Sequence, residues 1–240
     1  MAQVVGITYY PVKGCAGISV GQAEVIPSGL LGDRVHAVAD DNGDLRWQGA
    51  DPRLALIVPE PRADGGLTLR APGHEPVTTG AAAADADDGD ADDAADRWLT
   101  RVLGRPSRLV RAVAGNESRL HVVSRASLDA LNRRIAERGG RPLPMNRFRP
   151  NLVIDGWETP HTEDDTPLLT LPGTTLALAR LTVRCAVTLV DQETGRRAGS
   201  EPLRTLADYR RAEGGVVFGA YFAVRRPGRV AVGDEVTGAG

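Results

Sequence analysis

Two stretches decide the class of this fold: Val4-Val5-Gly6-Ile7-Thr8-Tyr9-Tyr10-Pro11, and Arg34-Val35-His36-Ala37-Val38-Ala39 a turn-rich interval later. In the first, β-branched and aromatic residues read as a strand over Val4–Tyr9. Pro11 stops it, because proline has no N–H to give to a ladder. The second alternates with period two, the pattern of a half-buried strand. Leu54–Val58 and Leu67–Arg70 continue as short strands between clusters of Pro, Gly and Asp. Short strands punctuated in this way indicate a β-rich barrel or sandwich rather than βαβ units.

Further strands are expected near Asn151–Asp155, Thr174–Arg180, Ala186–Val190, Ala220–Val224 and Val230–Val232. Three helices accompany them. Trp98, Leu99, Val102 and Leu103 fall at helical spacing behind Asp92, Asp93 and Asp96, acids that suit a first turn, and Gly104 ends the segment. Leu128, Leu131 and Ile135 mark one face of Ser127–Arg138, with Ser124 or Ser127 as cap and Gly139 as terminator. A third helix runs from about Pro202 to Arg211, with Ser200 as candidate N-cap. The class is α+β, mostly β.

The chain has 240 residues, enough for one or two domains with a real core. Its net charge of −2 argues against a dedicated nucleic-acid binder and against a membrane-surface helix. That total hides an asymmetry. Residues 80–96 hold only Gly, Ala and Asp, including seven aspartates, and without those seven the charge becomes +5. The part at about 80–91 reads as a flexible solvated loop, and the body around it suits an anionic ligand. Of 29 basic residues, Lys13 is the one lysine, in an arginine-biased background that makes it a pointer to function.

Two cysteines, Cys15 and Cys185, are too few for a disulfide scaffold, although a Cys15–Cys185 bridge stays open as an alternative. No C-x-x-C exists, four thiolates for an iron–sulfur cluster are lacking, and His36, His74, His121 and His161 lack zinc spacing. No apolar run approaches the ~20 residues that span a bilayer, and no signal-length apolar core follows the N-terminus, so a cytoplasmic protein is expected.

Five segments carry possible chemistry. Tyr10-Pro11-Val12-Lys13-Gly14-Cys15 ends a strand and throws a cation and a glycine into a turn, where a phosphate meets a point charge and exposed backbone amides. Gly32-Asp33-Arg34 places an arginine at the start of a strand, for a bidentate anion or for an ion pair with Asp33. Val122-Val123-Ser124 leads into a helix N-terminus, a ready anion site or an ordinary cap. In Phe148-Arg149-Pro150-Asn151, proline keeps Arg149 extended, and Asn151 can read a heterocycle edge. Arg184-Cys185 pairs a cation with a thiol that can act as nucleophile, persulfide carrier or soft metal ligand, or as a small apolar residue in a strand.

Taken in order, these segments resemble the MOSC family, named for the C-terminal domain of molybdenum cofactor sulfurase. The nearer likeness is to its amidoxime-reducing branch, which carries an N-terminal β-domain. The matching pieces are Tyr10-Pro11-Val12-Lys13, Gly32-Asp33-Arg34, Val123-Ser124-Arg125-Ala126-Ser127-Leu128, Phe148-Arg149-Pro150-Asn151, and Arg184-Cys185 through Asp191-Gln192-Glu193-Thr194-Gly195. Phe218-Gly219-Ala220-Tyr221-Phe222 and Val232-Gly233-Asp234-Glu235-Val236 extend the match to the C-terminus.

The resemblance implies a barrel-like N-terminal β-domain over 1–105 packed on a MOSC β-barrel over 106–240, with the cofactor between them. It implies a molybdenum cofactor (molybdopterin) and no pyridoxal phosphate. Cys185 would ligate molybdenum; Lys13, Gly14, Arg34, Ser124, Arg149, Asn151 and Arg184 would bind the cofactor; and Asp191 would orient the site or handle protons. The implied reaction reduces N-hydroxylated small molecules, drawing on a separate ferredoxin- or flavoprotein-type donor, since no iron–sulfur domain is fused. Two alternatives remain: a sulfur carrier holding a persulfide on Cys185, and a non-catalytic cofactor-binding protein. Gly14 replaces a serine frequent in that branch, removing a side-chain donor, and Val183 stands where relatives can carry a small polar residue.

Overall fold

The computed structural model describes residues 1–80, 93–112, 119–212 and 214–239. Strand occupies 40% and helix 22%, which makes the protein mostly β, with four α-helices among the described residues. The flexible loop expected at about 80–91 lies, beyond Gly80, outside the described residues.

One nine-stranded sheet dominates. Across it run Thr237–Ala239, Leu168–Thr170, Thr175–Val183, Gly215–Arg226, Arg119–Ser124, Leu152–Asp155, Gln3–Tyr9 and Ile18–Val20, with Arg211–Ala212 paired to the long Gly215–Arg226 strand. The Arg119–Ser124 and Leu152–Asp155 strands are parallel. A parallel pair needs a crossover, supplied here by helix α2, Arg125–Glu137. The opening strand pairs antiparallel with Leu152–Asp155, Ile7 facing Leu152, so its apolar residues complete a core with Leu120, Val122, Ile154 and Phe222.

A second core gathers Val12, Cys15, Val38, Leu54, Ile57, Leu67, Leu69, Trp98 and Leu99. The Val58–Pro61, Leu67–Ala71 and His74–Thr78 strands form a meander there. Helix α1, Asp93–Leu103, closes it, with Asp93 and Asp96 in its first turn and Trp98 and Leu99 buried. Each of these two side chains contributes about 2–3 kcal/mol on burial. Gly104 follows at φ +74, the left-handed exit that a side chain would resist. Under α2, Leu131, Ile135, Phe148, Leu206 and Phe218 make a third cluster.

Several local expectations change. Leu54–Val58 is not one strand: a 3-10 turn covers Pro52–Leu56, because Pro52 opens a helical turn, and the strand starts at Val58. Ala186–Val190 is also a 3-10 turn, at Ala186–Leu189, closed by Thr188 N–H and Oγ1 on the Cys185 carbonyl at 3.1 and 2.9 Å. The alternating His36–Ala39 strand is buried at all four positions rather than half-buried, since Arg108–Arg111 pairs along it and Val38 packs into the second core. The Pro202–Arg211 helix is α4, Leu203–Tyr209, and Glu201 rather than Ser200 accepts a side-chain cap bond, from Thr205 N–H at 3.1 Å. A four-residue helix, α3 (Thr162–Asp165), was not foreseen.

Candidate anion and thiol site

Tyr10 follows the opening strand and is buried, 4% exposed. The Arg149 guanidinium carbon lies 4.1 Å from its ring centroid and that of Arg34 lies 4.8 Å away. The ring's negative face attracts both cations, more strongly where water is excluded. Tyr10 is held by its own polar atoms: the hydroxyl donates to the Pro150 carbonyl at 3.1 Å and the N–H donates to Asp33 Oδ1 at 2.8 Å. Arg34 and Arg149 both adopt left-handed backbone, φ +54 and +53, uncommon for arginine and a mark of a constrained position. Thus Arg149 is not extended as Pro150 predicts: its N–H closes the preceding 3-10 turn on the Asn146 carbonyl at 3.2 Å.

Arg184 completes the group. Its Nη2 donates to the Phe148 carbonyl at 3.0 Å, and its Nη1 lies 3.4 Å from His121 Nε2. Burial pushes Arg149 and Arg184 below the ordinary arginine range, and the charge of Arg34 presses both in the same direction. Arg34 is also opposed by burial, but the paired Asp33 carboxylate outweighs it and leaves Arg34 raised. Among the described residues, Asp33 is the carboxylate paired within this trio; Arg149 instead reaches the amide oxygen of Gln192 at 3.3 Å. Arg184 Nε is buried without a hydrogen-bond partner. Three guanidiniums thus gather with one paired carboxylate among the described residues.

Asn151 is bonded within the fold. It is 1% exposed; its Oδ1 accepts from Arg34 Nη1 at 3.3 Å and from His121 N–H at 3.1 Å, and its Nδ2 donates to the Thr8 carbonyl at 3.1 Å. The side chain ties two strands and one arginine to the start of the Leu152–Asp155 strand. Lys13 is exposed and makes no ion pair among the described residues; its N–H donates to the His36 carbonyl at 2.7 Å. Gly14 beside it has φ +84, and its carbonyl accepts from Gln48 Nε2 at 3.0 Å.

Cys185 is exposed and free, next in chain to Arg184. Cys15 is also free, but wholly buried in the second core, where lost hydration pushes its thiol up to about 12. The two form no disulfide.

Ser124 and Asp191 are each bonded within the fold. Ser124 is fully buried and caps α2; Ser127 N–H donates to its Oγ at 3.1 Å, and its own hydroxyl donates to Glu163 Oε2 at 2.9 Å. The carboxyl group bonded at that helix end belongs to Glu163. Asp191 Oδ1 accepts from Thr194 N–H at 2.9 Å, Thr194 Oγ1 at 3.0 Å and Glu193 N–H at 3.1 Å, bonds that lower its carboxyl below the ordinary range. It shapes the turn before Gly195.

Sequence reasoning missed His121, Tyr10 as an arginine platform, and the reciprocal Gln48–Gln192 amide pair, bonded at 3.0 Å both ways. It also missed Arg147, 2% exposed with Nε and Nη1 unpartnered. Asn146-Arg147 beside the quoted motif was a signal for the last; the others become visible only once the chain is folded. A cavity of about 400 Å³ adjoins the cluster, lined by Thr8, Tyr10, Asn146, Arg149, Pro150 and Gln192 among others. Among the described residues no three His, Cys, Asp or Glu gather as a metal site.

A mostly β scaffold thus gathers three arginines near an accessible thiol. Two family models match it: the MOSC N-terminal beta barrel domain over residues 1–106 and the MOSC domain over 110–237. The chain belongs to the MOSC family. It is 30% identical to human mitochondrial amidoxime-reducing component 1 over 95% of this chain and 80% of that one. It is 29% identical to rat mitochondrial amidoxime reducing component 2, with the same coverage of each chain. It is also 31% identical to zebrafish molybdenum cofactor sulfurase, over 89% of this chain and 31% of that longer protein. No described helix is long and apolar enough to cross a membrane.

Proposed function

We propose that the chain holds a molybdenum cofactor between its N-terminal unit, 1–105, and its MOSC unit, 106–240, and reduces N-hydroxylated small molecules with electrons from a separate protein. The observation that carries this reading is the convergence of Arg34, Arg149 and Arg184 with a single paired carboxylate beside the exposed Cys185. The donor set fits the group: guanidiniums suit a phosphate dianion, the orphaned Arg184 Nε has a donor to spare, and a thiolate suits molybdenum. When bound, the cofactor supplies a two-electron reduction in which R–NH–OH, two electrons and two protons become R–NH2 and water.

The chain's own residues do the rest. Arg34 and Arg149 bind the phosphate, with Lys13 at the exposed edge and the Gly14 turn beside it. Tyr10 holds two of the arginines in place, and Cys185 supplies the protein ligand. Asp191, ionised and bound by its own turn, shapes the loop that carries Gln192. Cytoplasmic residence belongs to the same reading, supported by two unpaired thiols that a reducing compartment preserves. Amidoxime reduction and cofactor sulfuration in the named relatives support the substrate and cofactor classes.

The test is elemental and pterin analysis of wild type beside Cys185→Ala, each expressed in a cofactor-competent host, with turnover of an N-hydroxylated amidine driven by a ferredoxin. Stoichiometric molybdenum lost only in the variant supports the reading; neither metal nor pterin in the wild type overturns it. The exposure of Cys185 also favours a second reading, a sulfur carrier. There the thiolate attacks the outer sulfur of a desulfurase persulfide, forming Cys185–S–S⁻ and releasing the desulfurase thiolate. Intact mass after incubation with the desulfurase tests it, and an unchanged mass removes it.

A further inference from the structure

We infer that His121 is a positioning residue of the anion site, a neutral imidazole that accepts from Arg184 at Nε2 while its Nδ1–H donates to the carbonyl of Arg149. One buried side chain thereby sets two arginines. The inference rests on the proposed anion-binding role of those arginines and adds a residue that none of the five motifs contains.

The two arginine contacts together fit one tautomer. A guanidinium has donors and no acceptor, so Arg184 Nη1, 3.4 Å from Nε2, requires a bare nitrogen there. The proton then sits on Nδ1, 3.5 Å from the Arg149 carbonyl oxygen, where the Arg149 backbone is left-handed. The imidazole is boxed in. Its residue is 2% exposed, its ring centroid lies 5.4 Å from that of Tyr221, and Gly219 at φ +72 stands so close that an added Cβ would meet Nε2 at 2.7 Å. The backbone is pinned as well, with His121 N–H on Asn151 Oδ1 at 3.1 Å and Asn151 N–H on the His121 carbonyl at 2.8 Å.

The surrounding charges favour the same state. Burial, then the charge of Arg184, hold the imidazole well below its usual range, with Arg34 adding to them. The carbonyls of Arg149 and Phe218 pull the other way and are outweighed. A protonated ring would add a fourth cation to the group and withdraw the acceptor from Arg184.

Two substitutions separate positioning from packing. His121→Phe keeps a ring against Tyr221 but loses both nitrogens; His121→Gln keeps a neutral acceptor. Inorganic phosphate binding to the cofactor-free chain is measured by titration calorimetry, with thermal unfolding as the check on folding. The Phe variant should bind phosphate about tenfold more weakly or worse, and the Gln variant within about threefold of wild type. Should the Phe variant not fold, the ring-nitrogen shifts of wild-type His121 decide: Nε2 should stay unprotonated from about pH 8 to pH 5. Equal phosphate binding by the Phe variant and wild type, no phosphate binding by wild type, or a protonated Nε2 overturns the inference. His121-dependent phosphate binding in a chain that takes up no molybdenum supports it and removes the cofactor reading instead.

Discussion

Replacing Tyr10 tests whether the arginine group is held by an aromatic platform. Tyr10→Phe removes one bond, hydroxyl to Pro150 carbonyl at 3.1 Å, and should cost about 1 kcal/mol. Tyr10→Leu removes the ring too. The Arg149 contact at 4.1 Å is buried and is worth about 2 kcal/mol, and the Arg34 contact at 4.8 Å, on a side chain 32% exposed, about 0.5–1 kcal/mol. With the hydroxyl and some lost packing, the Leu variant should lose about 4 kcal/mol, so the two variants differ by about 3 kcal/mol. Both keep the backbone N–H to Asp33, which isolates the ring. Equilibrium urea unfolding of the cofactor-free protein measures the difference, read as a midpoint shift at unchanged slope. Leu and Phe variants within about 1 kcal/mol of each other would refute the platform.

Three further outcomes follow from the buried groups. Glu163 accepts from Ser124 N–H at 3.2 Å, Ser124 Oγ at 2.9 Å and Ser127 Oγ at 2.7 Å, so Glu163→Ala should cost about 3 kcal/mol in thermal unfolding and Glu163→Gln distinctly less. Iodoacetamide should label exposed Cys185 in the native protein and reach Cys15, pushed up to about 12, only on denaturation; peptide mapping reads this directly. Asp164 and His161 should shape stability against pH in opposite senses. Burial raises Asp164 to about 6 despite its bond to Arg210, so its contribution is complete at low pH and lost as pH rises through 6. His161, lowered by burial to about 4, contributes above its unfolded value and loses this as pH falls toward 4. The two nearly cancel, each at about 2 kcal/mol after solvent screening. Asp164→Asn should therefore make stability climb with pH between about 4 and 6.5, and His161→Asn should make it fall.

The strands were legible where residues alternate or run β-branched, as over Gln3–Tyr9, and α2 was legible because its apolar period and Ser124 cap agree. What failed was local. Leu54–Leu56 and Ala186–Leu189 are apolar runs too short for periodicity to separate a strand from a 3-10 turn. Of the site, Arg34, Arg149 and Arg184 were marked by their motifs, yet nothing local says that Tyr10 touches two of them. That Glu163 bonds Ser124 at its helix end was not legible, because the two lie 39 residues apart. His121 was overlooked for the same reason. An isolated histidine in a strand has no neighbours in sequence that reveal the arginine it faces, 63 residues on.

The pairing of Gln3–Tyr9 with Leu152–Asp155 has a consequence during synthesis. A ribosome adds about 5–20 residues per second, so the first strand can meet Ile18–Val20 almost at once but emerges roughly 7–30 seconds before its other neighbour, Leu152–Asp155, exists. Through that interval Val4 and Ile7, both destined for the core, stand on an unpaired edge. A copy of the opening peptide supplied in trans should compete for the Leu152–Asp155 slot, which makes that slot a natural place for split-protein complementation.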